Sequence, residues 1–229
     1  MSRRDTLRRI FTLTGVVPVG IFLVLHVWTK ASALGGSVAF NAWEDRLWGL
    51  PLISAIEVLG ILLPLAFHAG YGVYLSFERG QSTDRYPFGK SWVRPFGRAT
   101  GMVTLVFILA HLWEFRVQKW LYGMHAHSFF GAATADLSSM KWGVPWIALG
   151  YLGGLSAAVA HFTVGLATFA MSSGRLASKS ARRVAAGLIV TVGVGLMGFG
   201  VLTVVYFSTG ASLFPVKEAP NSLSAGSCP

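Results

Sequence analysis

The chain has 229 residues, 53% of them hydrophobic and only 12% charged, with a mean hydropathy of +0.58; this excludes a disordered chain or an ordinary soluble domain and indicates an integral membrane protein. The formal net charge of +10 does not indicate a nucleic-acid partner, because the basic residues gather at the ends of apolar runs and not on the face of a polar domain. The single cysteine, Cys228, excludes an internal disulfide or a cysteine-ligated cluster within the chain.

Five apolar runs reach the roughly 20 residues needed to cross a bilayer. The first covers about 10–29 and contains His26. Its arginine-rich lead and the Ala31-Ser32-Ala33 stretch mimic a signal peptide, but an apolar core of about 19 residues is too long for one, so a retained helix is expected. The second run, about 51–77, contains Glu57 and His68, and the third, about 99–120, contains His111. An outer loop over about 115–144 carries His125 and His127, two residues apart with no third ligand in view, and reads as exposed. The fourth run, about 145–171, contains His161. The fifth, about 184–208, has neither histidine nor charge, and its Gly187, Gly193, Gly195, Gly198 and Gly200 suit close helix packing. A polar tail covers 209–229. The expected fold is an all-α integral membrane protein: one domain over 1–229, five transmembrane helices in a bundle.

Charge orients the bundle. Arg3, Arg4, Arg8 and Arg9, then Arg79, Arg85, Lys90, Arg94 and Arg98, then Arg175, Lys179, Arg182 and Arg183 lie on one side of a five-span chain, and they are 13 of its 19 basic residues. By the positive-inside rule that side is cytoplasmic, with the N-terminus inside and the C-terminus outside. Trp28, Trp43, Trp48, Trp113, Trp120 and Trp142 fall near the outer interface, where an aromatic belt is expected. Glu44 and Asp45 read as solvated.

An ionisable residue inside a membrane helix marks a functional site by default, and here four histidines occupy four different spans. At a rise of about 1.5 Å per residue, His26 and His111 fall in an outer layer, and His68 and His161 in an inner one. Each layer thus takes one imidazole from each of two helices, the arrangement that clamps a flat macrocycle from both faces; two haems b are expected. Gly72 and Gly165 each follow a histidine by four residues, on the same helix face, and leave room for a porphyrin edge. As ordinary membrane-helix glycines they would serve packing alone.

At these residues the chain resembles a known family, the cytochrome b membrane anchors of succinate dehydrogenase and fumarate reductase in their single-subunit, five-helix, two-haem form. The resemblance is carried by the stretch from Gly15 to His26, by Leu63 to Tyr74 around His68, by Arg98 to Phe107 with His111 to Glu114, and by His161 to Ala170. It covers about 8–205. Some relatives have a further histidine where this chain has Phe11. The resemblance implies a complex in the bacterial cytoplasmic membrane. A flavoprotein subunit with FAD and an iron–sulfur subunit would dock on the cytoplasmic face, and electrons would pass through the inner and then the outer haem to a membrane quinone, menaquinone being the expected one. The chain would contribute no succinate chemistry of its own.

Quinone reduction consumes protons, and Glu57 stands near the outer layer in an otherwise apolar run. It is the candidate proton donor or acceptor; the alternative is a structural carboxylate bonded to a neighbouring helix or to a haem propionate partner. Arg94 and Arg98 at the inner edge could pair with propionates or with the soluble subunits. Two other readings stay open on sequence alone: a haem-bearing anchor of another quinone-linked dehydrogenase or hydrogenase, and a non-haem transporter with a histidine relay.

Overall fold

Inside a bilayer every backbone N–H and C=O must be satisfied within the chain, and in an apolar run of this length only a helix does that. The computed structural model describes residues 3–78, 92–122 and 129–213, except 173, 175 and 177. Five helical stretches are long and apolar enough to cross a membrane: Arg3–Gly35, Ile53–Phe77, Val93–Val117, Trp146–Met171 and Lys179–Thr209, called spans 1 to 5 below. Among the described residues no strand forms; an isolated bridge between Lys141 and Val144 closes a tight turn before span 4. Residues such as Val106, Leu188 and Val194 stay exposed on the outside of the bundle, as lipid-facing positions do. His125, His127 and the tail beyond 213 lie outside the described residues, as do Arg79, Arg85, Lys90 and Arg175.

Spans 3 and 4, and spans 4 and 5, run closely against each other, and span 1 lies against spans 2, 4 and 5. Glycines set the approach in part: a methyl group on Gly154 would run into the Phe107 ring of span 3, and one on Gly193 would lie 2.7 Å from Thr163 Oγ1 of span 4. Small residues of this kind let helix backbones pack closely where lipid offers no hydrophobic drive.

Two spans are interrupted by proline. Pro18 opens the second helical segment of span 1 (Pro18–Lys30) after Arg3–Val16. Pro64 follows a wide π-helical stretch, Ile56–Leu62, in span 2. Proline lacks the N–H that would continue the ladder, so the turn before it rearranges. Span 3 ends in a second π-helical stretch, Trp113–Val117. The intramembrane ionisable residues Glu57, Glu114 and Arg116 all lie in these two π stretches, a placement that wide turns show often at functional sites.

Outside the spans, Ser37–Trp48 and Phe129–Leu137 are also helical, the second of them within the stretch expected as an outer loop. They cap the bundle at the end opposite the arginine-rich N-terminus. Phe40, Phe129, Ala133 and Leu137 are buried there against Leu34, Val204 and Phe207. This cap corrects one expectation. Glu44 is not solvated but 4% exposed, because the Ser37–Trp48 helix lays it against Lys30, whose Nζ is 2.6 Å from its Oε1. Trp48 is stacked on Phe129, and Trp28 and Trp142 are exposed.

Candidate functional site

The four histidines meet in two pairs. His68 of span 2 and His161 of span 4 have ring centroids 6.2 Å apart with planes at 70°. His26 of span 1 and His111 of span 3 have centroids 5.7 Å apart at 86°. Metal–nitrogen bonds of about 2.0 Å and a ring radius of about 1.1 Å put two imidazoles that share one axial metal about 6.2 Å apart, centroid to centroid. Both pairs therefore have a separation at which two imidazoles from different spans could hold one metal ion between them.

Their hydrogen bonds favour ligation through Nε2. His68 Nδ1 lies 3.0 Å from the carbonyl oxygen of Phe11, and His161 Nδ1 lies 3.1 Å from that of Gly97. A carbonyl only accepts, so each Nδ1 carries the hydrogen and each Nε2 keeps its lone pair for a metal. His111 Nδ1 is 3.3 Å from the Tyr151 hydroxyl, which donates in turn to the Glu114 carboxylate. Among the described residues no group of three or more His, Cys, Asp or Glu side chains could hold a bare metal ion. Two imidazoles alone do not satisfy a transition metal; they suit an iron whose other four ligands are the nitrogens of a macrocycle. The residues present thus fit haem.

The pair toward the arginine-rich end is built by one device used twice. Gly15 follows Phe11 by four residues, and Gly101 follows Gly97 by four. A methyl group on Gly15 would collide with the His68 ring, and one on Gly101 would lie 2.9 Å from His161 Cε1. In each case a helix one turn past the accepting carbonyl has no side chain, and an imidazole from another span occupies that space. Phe11 adds a face-to-face stack on His68, with centroids 4.5 Å apart and planes within 6°. Sequence reasoning missed Gly15 and Gly101 as site residues. The signal was present only as two glycines within helical stretches, and nothing in one chain's sequence says which neighbouring helix a glycine faces.

Gly72 and Gly165, expected to make room for a porphyrin, differ in surroundings. A methyl on Gly72 would meet the Phe11 ring at 3.3 Å, whereas one on Gly165 would have nothing within 4 Å. Glu57 is ion-paired with Arg116 of span 3, whose guanidinium also lies 5.1 Å from the centre of the Trp48 ring. The pair joins spans 2 and 3 toward the capped end. At the opposite end Arg98 donates to the Leu75 carbonyl oxygen at 3.1 Å, and Arg8 is 3.1 Å from the Glu78 carboxylate. These contacts tie spans 1 and 3 to the end of span 2.

The chain is similar to the succinate dehydrogenase cytochrome b558 subunit of Bacillus subtilis (strain 168), with 32% identity over 206 residues, 90% of this chain and 98% of that protein. No family model matches the chain, and no solved structure matches it either.

Proposed function

Because the chain belongs to the family of succinate dehydrogenase cytochrome b subunits, we propose that it anchors a succinate:quinone oxidoreductase in the membrane and carries electrons between that complex's iron–sulfur clusters and a membrane quinone, menaquinone being the expected acceptor. The observation that carries the proposal is the meeting of four intramembrane histidines in two pairs, each from two different spans, with ring centroids 5.7 Å and 6.2 Å apart. A histidine proton relay needs no such pairing, and family membership favours this complex over a hydrogenase anchor.

In this reading His68 and His161 hold one haem b and His26 and His111 the other. A bound haem supplies a one-electron carrier. The chain's own residues do the rest. The Phe11 and Gly97 carbonyls fix the tautomer of the first pair. The apolar spans keep water from both. Arg94, Arg98 and the N-terminal arginines would face a flavoprotein with FAD and an iron–sulfur subunit, and the positive-inside rule supports an N-terminus in the bacterial cytoplasm and a C-terminus outside. Glu57, held by Arg116, stands near the outer pair and is the proposed proton-handling group for quinone chemistry there. Electrons that reach an outer site cross much of the bilayer, so turnover should respond to membrane potential, at about 2.3 kcal/mol per charge per 100 mV.

The test is a reduced-minus-oxidised spectrum and a pyridine haemochrome count on the purified complex, with its partner subunits identified. Two b-type haems per chain and a co-purifying flavoprotein are expected. Fewer haems would break the pairing, and a molybdenum or nickel partner would refute the assignment.

A further inference from the structure

His111 differs from His68 and His161 in what backs it. The inner ligands donate to neutral backbone carbonyls. His111 faces the hydroxyl of Tyr151, one span away, at 3.3 Å, and that hydroxyl is hydrogen-bonded to the carboxylate of Glu114. A phenol has one proton to give. With that proton directed at Glu114, the phenol oxygen can only accept from His111, so His111 Nδ1 carries a hydrogen and its Nε2 lone pair is left for His26's side of the site. Phe107 and Phe115 flank the ring, with centroids 5.8 Å and 5.2 Å away, so these neighbours give the imidazole no competing hydrogen-bond partner. Asp136 of the Phe129–Leu137 helix lies beside Glu114.

We propose that Tyr151 and Glu114 are positioning residues for the outer haem, a carboxylate–phenol relay that fixes the tautomer and orientation of His111 and lowers the reduction potential of the iron it binds. This rests on the reading that His26 and His111 hold a haem. A hydrogen bond from a ligating imidazole to a hydroxyl that is itself bonded to a carboxylate raises the ligand's basicity, and a more basic ligand favours the ferric state. The inner pair, backed by peptide carbonyls, lacks this bias.

The test is a redox titration of the whole complex, following the two haem components separately, with haem counted in each preparation. Tyr151→Phe removes the acceptor at His111 Nδ1 and keeps the ring. The expected result is a roughly tenfold shift of the outer haem's equilibrium toward the reduced form, about 59 mV for one electron, with the inner component unmoved. Glu114→Gln keeps a hydrogen-bonding side chain of the same size but removes the charge; it should shift the outer haem in the same direction by less, with both haems retained. Selective loss of the outer haem from Tyr151→Phe, with Glu114→Gln still holding two, equally supports a positioning role. Two bound haems with an unmoved outer potential in both variants would overturn the proposal. So would inner and outer components that shift together, or loss of both haems from both variants, since either marks a general structural role. A wild-type complex without a His111-dependent haem removes the dihaem reading and this inference together. An unmoved potential in a two-haem wild-type background removes only the inference.

Discussion

Replacing Gly101 with alanine places a methyl carbon 2.9 Å from His161 Cε1 and 3.1 Å from its Nδ1. Carbon atoms rest at about 3.5–4.0 Å, so the imidazole must retreat by roughly 0.5–1 Å. Its bond to the Gly97 carbonyl is already 3.1 Å long, near the end of the useful range, and a shift of that size breaks it. Loss of such an outer-shell partner typically costs 10–100-fold in metal affinity, about 1.4–2.7 kcal/mol. The misplaced ring also spoils axial geometry, so that range is a lower figure. Gly101→Ala should therefore release the inner haem or shift its potential, while the haem of His26 and His111 keeps its spectrum. Gly153→Ala is the matched control: it makes the same chemical change in span 4, where a methyl meets nothing within 4 Å. The assay is haemochrome stoichiometry with a redox titration of each component in the purified complex. Two haems with an unmoved inner component in Gly101→Ala would refute the account of the glycine cradle. Equal damage from Gly153→Ala would show that the effect is not local.

The pairing itself predicts which variants share a phenotype: His68→Ala and His161→Ala should lose the same spectral component, and His26→Ala and His111→Ala the other. A component shared by His26 and His68 variants would break the two-layer arrangement. Glu57→Gln should keep both haems and succinate-driven reduction of a soluble dye, while quinone-linked turnover falls at least tenfold; full quinone activity would remove Glu57 from the chemistry and leave it as the structural partner of Arg116. Glu44→Gln weakens a buried, charge-assisted bond to Lys30, worth about 1.5–3 kcal/mol. The complex should then melt at lower temperature with both haems bound at room temperature, as read by thermal scanning of haem absorbance; an unchanged melting profile would mean that the cap does not depend on the pair.

Much of this molecule is legible in its sequence because the bilayer imposes local rules. A run of about 20 apolar residues must be a helix wherever it sits, so five spans follow from composition alone. Depth is local too. Counting residues from a span's end puts His26 and His111 in one layer and His68 and His161 in the other, with no knowledge of the bundle.

What faces what was decided by the tertiary structure. The rotation and register of each helix are set by packing against all the others, a non-local sum that no single segment encodes. Gly15 and Gly101 became cradles for imidazoles only when spans 2 and 4 turned His68 and His161 onto them. Glu57 became half of an ion pair because the two π stretches bring it to Arg116, and the Tyr151–Glu114 bond exists because spans 3 and 4 are in register there. Glu44 looks like an ordinary surface carboxylate until the short Ser37–Trp48 helix folds over the end of span 1 and buries it against Lys30. That helix is too short and too mixed in composition to announce itself; the apolar surface left open at the end of the bundle is what holds it in place.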